Sequence, residues 1–198
     1  MSRLTRAESQ ARTREQLVAT AKELFLAEGY WATSLEKVAE AAGYSKGAVY
    51  SNFRNKDELC LAVLDAIHAE QASRIGRAIA GKHTLEDLLD GFERWAEETI
   101  GDQRWTALEV EFATNVRRDE RLRDELARRD LAIREGLAEL ITSSLEEFDV
   151  ELPMPADDVA TALLSLGIGL GVQRAIDPGI PVRVLTNTMR AMLGLPQR

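Results

Sequence analysis

The chain has 198 residues, 45% hydrophobic and 29% charged, which places it among soluble globular proteins of one large domain or two small ones. The single cysteine, Cys60, excludes an intrachain disulfide and suits a reducing cytoplasm, while the opening MSRLTRAESQ lacks the apolar run of a secretory signal. The net charge of −8 divides unevenly: residues 1–56 carry nine Lys/Arg against six Asp/Glu, net +3, and the remainder carries −11, so a basic front is oriented towards phosphate and an acidic rear is not.

Few prolines and abundant Ala, Leu, Glu and Arg favour an all-α fold. Residues 1–11 are polar, carry Arg3 and Arg6, and read as a mobile arm. The first helix is expected over Arg12–Glu28, with Leu17, Ala21, Leu24 and Phe25 on one stripe and Gly29 ending it. Tyr30 and Trp31 follow as packing residues. Residues 33–56, TSLEKVAEAAGYSKGAVYSNFRNK, then read as a helix, a tight turn and a second short helix. Thr33 and Glu36 form a T-x-x-E capping box, and Leu35, Val38, Ala39 and Ala42 share one face. Gly43 suits a left-handed C′ residue, Ser45 caps a second helix built on Val49, Tyr50 and Phe53, and Asn55 with Glu58 opens the next. Two short helices about a glycine make a helix-turn-helix, and the small or polar Lys46, Gly47, Tyr50 and Asn52 suit a helix that enters a major groove.

The wording of this stretch resembles the signature of the TetR family of transcriptional regulators. It carries Thr33, Ser34, Val38, Ala39, Ala42, Gly43, Tyr44, Ser45, Gly47, Val49, Tyr50, Phe53 and Lys56 without a gap, and the likeness spans about residues 12–66. The rest of the chain resembles the family only in length and helical layout.

A long helix is expected from Lys56 to about Ala80, as the sole covalent link between head and body. Thr84 with Asp87 caps another, to Ile100, with Leu85, Leu88, Leu89, Phe92, Trp95 and Ala96 on its apolar face. Helices follow over Arg104–Val116 and Asp119–Phe148; the second opens in the charge-dense run RRDERLRDELARRD, a solvated face laced with i,i+4 pairs. After the proline-marked loop Asp149–Pro155 comes the most apolar helix, Asp157–Ile176, whose longest apolar run, Ala162–Val172, is too short to span a bilayer. Pro181 suits the first turn of a last helix that ends near Leu193.

No catalytic constellation emerges. Gly167, Gly169 and Gly171 follow no strand and lack the G-x-G-x-x-G spacing, His68 and His83 have no second metal ligand, and Ser143 and Ser144 have no nucleophile elbow. The chain is read as a non-enzyme without a cofactor or bound metal.

The resemblance implies an all-α protein of about nine helices, with a DNA-binding head, residues 1–55, and an effector-binding and dimerising body, residues 56–198. It implies a cytoplasmic homodimer without a membrane, bound to a palindromic operator of double-stranded DNA and released by a small, mostly apolar ligand. Thr33, Tyr50 and Lys56 match phosphate-contacting positions, joined by Ser45 if capping leaves its hydroxyl free; Lys46 and Tyr44 reach base edges or phosphate, and Gly47 allows close approach. Phe92, Trp95, Trp105, Leu108, Glu109, Phe112, Leu137 and Gln173 are the candidate ligand-binding residues. Leu163, Leu166, Gly167, Leu170, Val184, Met189 and Met192 are the candidate dimer interface. The alternative reading is a helix-turn-helix activator or architectural protein without an effector.

Overall fold

The computed structural model describes residues 5–117 and 119–197, and these form an all-α chain of nine helices. They are α1 (Arg6–Glu28), α2 (Leu35–Ala42), α3 (Lys46–Asn52), α4 (Lys56–Ile79), α5 (Leu85–Thr99), α6 (Gln103–Val116), α7 (Glu120–Glu146), α8 (Ala156–Ile176) and α9 (Arg183–Met192). Two compact units result: residues 1–68 with 107–126, and residues 69–106 with 127–198. The chain therefore crosses between them within α4, α6 and α7, not through α4 alone.

Three local expectations are corrected. Helix α1 begins at Arg6, not Arg12, because Thr5 accepts the Glu8 N–H (3.2 Å) and the Glu8 carboxylate accepts the Thr5 N–H (2.6 Å). That capping box turns residues 6–11 into a solvated helical turn instead of an arm; Arg3 lies outside the described residues. The cap of α2 is Ser34, whose hydroxyl accepts the Lys37 N–H at 3.1 Å, and not Thr33. Of two adjacent hydroxyls, only one can face the free N–H groups of the first turn, and Thr33 instead turns inward and donates to the Gly29 carbonyl at 3.1 Å. Helix α9 starts at Arg183, so Pro181 precedes its first turn.

In the first unit, α1 packs on α2 and α3 around Leu17, Ala21, Phe25, Val38, Val49 and Phe53. Leu59, Val63 and Ile67 of α4 are buried as the apolar period predicts, and so are Leu108, Phe112 and Val116 of α6. His68 of α4 lies 2.7 Å from Glu109 of α6. In the second unit, Ala96, Ile100, Val159, Leu163, Leu170, Val182 and Leu185 form the core, with Phe92, Trp95, Leu166, Met189 and Met192 packed against it.

Polar ties fix the second unit's helices. Arg190 of α9 is 1% exposed and pairs with Glu86 (2.6 Å) and Asp90 (3.5 Å) of α5, while Thr186 donates to Glu93 at 2.7 Å. Arg174 of α8 donates to the carbonyls of Ile100 (2.9 Å) and Ile180 and pairs with Glu97 at 3.1 Å, which ties α8 to both neighbouring connections.

Helix α8 is 21 residues long with a mean hydropathy of 1.5 over its most apolar window, so it is long and apolar enough to cross a membrane; the apolar run alone understated it. Only 28% of that window is buried. Val159, Leu163 and Leu170 face the core, whereas Ile168 (52% exposed) and Ile176 (83%) do not.

Gly91 marks the tightest approach in this unit. A Cβ there would lie 2.3 Å from the Ala78 carbonyl oxygen, a backbone atom that cannot step aside. Gly91→Ala is expected to cost about 1–3 kcal/mol of overpacking, lowering Tm by roughly 2–10 °C, measured by differential scanning calorimetry.

Candidate nucleic-acid interface

The geometry of the turn follows from two backbone devices. Gly43 adopts φ +72°, the left-handed conformation that costs a glycine least, and its N–H reaches the Glu40 carbonyl (3.1 Å) while the Tyr44 N–H reaches that of Ala39 (2.9 Å). This is a Schellman stop. One residue further on, Ser45 accepts the Ala48 N–H at 3.2 Å and starts α3. The cap engages Ser45 as an acceptor, so its hydroxyl is not free of capping.

Helix α3 is anchored from behind and open in front. Val49 (0% exposed) and Phe53 (1%) sit in the core, and Ser45, Lys46, Gly47 and Tyr50 are exposed, with Tyr44 part-buried. A Cβ at Gly47 would meet nothing nearer than the Ser45 hydroxyl at 3.8 Å, so the space that the glycine leaves faces outward. Arg14 of α1 reaches the far end of α3: its Nη1 donates to the Asn52 carbonyl (2.8 Å) and its guanidinium lies over the Phe53 ring, 4.1 Å from the centroid. That contact satisfies an orphan carbonyl and places a cation at a helix C-terminus. No local pattern marks Arg14 in the sequence, because its partners lie 38 residues away.

A shallow groove runs beside α3, lined by residues 31–36, Tyr50 and residues 54–56. Tyr50 donates its hydroxyl to Glu36 at 3.1 Å, and Arg54 is exposed. Thr33 contributes little surface, being 1% exposed with its hydroxyl on Gly29, so its side chain is not presented as the sequence match implies. Lys56 is part-buried: Nζ donates to the Tyr30 carbonyl at 3.0 Å and lies 4.1 Å from the Tyr30 ring centroid and 5.6 Å from that of Trp31.

Tyr30, 2% exposed, is the centre of the first unit. Its N–H donates to Glu111 (2.9 Å), its hydroxyl donates to Asp57, and Asn115 donates both to that hydroxyl (3.2 Å) and to Asp57 (2.9 Å). Burial and the neighbouring Asp57 carboxylate push the Tyr30 phenol well above its usual range, so it stays a donor. Phe25, Trp31 and Phe112 surround the ring with centroids 5.9, 5.2 and 5.6 Å away. Nothing in the sequence marks Asn115; its i,i+4 spacing from Glu111 on α6 is visible, but the shared target of the two is not. Cys60 is fully buried, and burial together with Asp57 pushes its thiol far up, which opposes thiolate chemistry.

The remaining sequence candidates are dispersed. Leu108 and Phe112 are core of the first unit and Glu109 faces His68. In the second unit Phe92 and Trp95 meet at 5.3 Å and the Trp95 indole donates to Gln71 at 3.2 Å; Trp105 and Leu137 are part-buried and Gln173 is exposed. Of the candidate dimer residues, Leu163 and Leu170 are buried in their own core and Leu166, Met189 and Met192 pack partly against it. Val184 is 43% exposed, and Gly167 has open space before it. Ile168 and Ile176 are the large exposed apolar residues of α8 that the sequence reading missed, because a helix apolar all round gives no moment to choose a face.

A three-helix head with an anchored, outward-facing α3 defines a helix-turn-helix protein. Residues 17–63 match the model of the bacterial regulatory proteins of the tetR family, and residues 85–194 match that of the BetI-type transcriptional repressor C-terminal part. The chain belongs to the TetR family, with a carboxy-terminal part of the BetI type. It is 38% identical over 88 residues to the HTH-type transcriptional regulator TtgR of Pseudomonas putida; the match covers 44% of this chain and spans about two fifths, 41%, of that curated relative. The fold is shared with the reduced form of NemR from E. coli (TM-score 0.72, 20% identity, covering 93% of this chain and 100% of that one). It is shared also with FadR of Thermus thermophilus, a TetR-family transcriptional repressor solved with lauroyl-CoA (TM-score 0.64, 22% identity, 93% and 96% covered).

Tyr30→Phe retains the ring packing and deletes the hydroxyl between Asp57 and Asn115. A loss of about 1–3 kcal/mol is expected, read as a lower urea midpoint with an unchanged m-value.

Proposed function

We propose that this protein is a cytoplasmic, non-enzymatic transcriptional repressor that binds a palindromic operator as a homodimer and releases it on binding a small, mostly apolar effector. The observation that carries the reading is α3 itself: buried through Val49 and Phe53, and presenting Lys46, Gly47 and Tyr50 outward beside a groove. Residues 1–55 engage DNA and residues 56–198 supply the effector site and the dimer.

Lys46 at the first turn of α3 is the base-reading cation, since Lys or Arg to guanine is the commonest specific contact, and Gly47 lets the helix axis approach. Tyr44 reaches base edges or nearby phosphate. Tyr50 and the amino-terminal turn of α2 border the groove and suit a backbone phosphate, for which the helix dipole is favourable. Lys56 places one N–H on the Tyr30 carbonyl and keeps two for a phosphate. Ser45, though its oxygen accepts the Ala48 N–H, retains an O–H to donate. In a two-fold dimer, two such helices address major grooves about 34 Å apart.

The dimer is supported by the outer face of α8 and α9, where Ile168, Ile176 and Val184 are exposed and Gly167 and Gly169 leave room for a second helix. The effector is supported by the lauroyl-CoA bound to FadR, a protein of the same fold; Phe92 and Trp95, whose rings meet at 5.3 Å, are its foremost side chains here. Binding shifts the population towards a dimer whose heads miss the groove spacing, with couplings typically about 1–3 kcal/mol.

Selection of operators from random DNA tests the reading. Enrichment of a palindrome, blurred at one position by Lys46→Ala with a loss of about 1–3 kcal/mol, is expected; no enrichment by a folded dimer overturns it. Ile168→Glu is expected to raise the dimer dissociation constant at least tenfold, measured by sedimentation equilibrium, because a charge is forced into an apolar contact.

A further inference from the structure

Glu36 stands where a DNA-binding surface would not be expected to carry a carboxylate. It lies in the first turn of α2, lines the groove beside α3, and accepts the hydroxyl of Tyr50 at 3.1 Å. Its own backbone N–H, the Tyr50 hydroxyl and the charge of Lys46 all hold the carboxyl below its usual range, so it is an anion at neutral pH. Of the side chains proposed to meet DNA, Tyr50 thus holds Glu36 as its hydrogen-bond partner and Lys46 has it within electrostatic reach.

A phenol has one proton and donates to one acceptor at a time. For Tyr50 to donate to a phosphate, the bond to Glu36 must break, and the freed carboxylate then faces the phosphate. Charge-assisted hydrogen bonds are roughly twice as strong as neutral ones, so the competition is between two anionic acceptors and not between an anion and water. Non-specific affinity rests almost entirely on phosphate contacts, so an anion at this point weakens binding irrespective of sequence.

We infer that Glu36 is a built-in brake on DNA affinity, a positioning residue that holds the Tyr50 hydroxyl away from the backbone phosphate and repels that phosphate once the hydroxyl is released. This rests on the DNA-binding reading above. The brake keeps the regulator from residing on arbitrary DNA, and leaves base contacts, Lys46 first among them, to decide where it stays.

The test is a double-mutant cycle on the full-length dimer, using Glu36→Gln, Tyr50→Phe and both together. Binding is measured to a selected operator and to a scrambled duplex over a series of salt concentrations. Glu36→Gln is expected to tighten binding to both duplexes about fivefold to tenfold at low salt, and to steepen the salt dependence by about one counterion. In the Tyr50→Phe background the same substitution is expected to gain less than about threefold, since only bare repulsion remains. A merely structural Glu36, favourable to the α2 dipole, predicts the opposite sign: weaker binding and a lower Tm. Unchanged or weaker binding by Glu36→Gln, or an equal gain in both backgrounds, overturns the proposal while leaving the regulator reading intact. A wild-type dimer that binds neither duplex overturns the regulator reading and the proposal with it.

Discussion

The burial of Tyr30 constrains the first unit more than any other contact. It lies between two helices, where its backbone has no helical ladder to join, yet it is almost wholly removed from water. An unmet backbone group in such a place costs roughly 1–3 kcal/mol, so partners must come from elsewhere. They come from two helices distant in sequence: Lys56 at the start of α4 donates to the carbonyl and Glu111 near the end of α6 accepts the N–H, while Asp57 and Asn115 of the same two helices bind the hydroxyl. The Gly29 backbone is part of the same arrangement, since its φ of +88° turns the chain and a Cβ there would meet the Glu111 carboxylate at 3.3 Å. The compact head therefore takes in residues 107–126 as well as the amino terminus. A displacement of α6 bears directly on the loop between α1 and α2, the same loop that borders the groove beside α3.

Around that fixed point the helix-turn-helix is held by local chemistry. The Schellman stop at Gly43 and the cap at Ser45 set the bend between α2 and α3, and Arg14 closes the far end of α3. A seven-residue helix is marginal on its own. Val49, Phe53 and the Arg14 contact hold it in place, so its outer side chains stand on a rigid base.

Much of this was legible in the sequence because the signals are local. Gly43, Ser45, Asn55 and Thr84 act within three or four residues of themselves, and all four were read correctly. The corrections at Thr5 and at Thr33 against Ser34 differ in origin. Thr33 and Ser34 are adjacent hydroxyls, and which of them caps depends on Thr33 turning inward, a tertiary matter, whereas the box of Thr5 with Glu8 is a local T-x-x-E signal that lies ahead of the apolar stripe of α1. The all-α fold followed from composition and period. Glu111, Asn115 and Arg14 were not legible, since each acts on a partner 38 or more residues away. The faces of α8 were not legible either: a helix apolar on every side names no inner residue, so Leu163 and Leu170 were read as outward when they complete the core.

The seclusion of Cys60 has a practical consequence. The only thiol of the chain is fully buried and its ionisation is suppressed, so the native protein offers no accessible thiolate to thiol-directed reagents. A cysteine introduced on the outer face of α3 thus becomes the sole site for a spin label or fluorophore, with no need to remove Cys60 and open a cavity in the core. Distances between the two labels of an assembled pair would then report how far apart the reading helices stand, in solution and without a crystal.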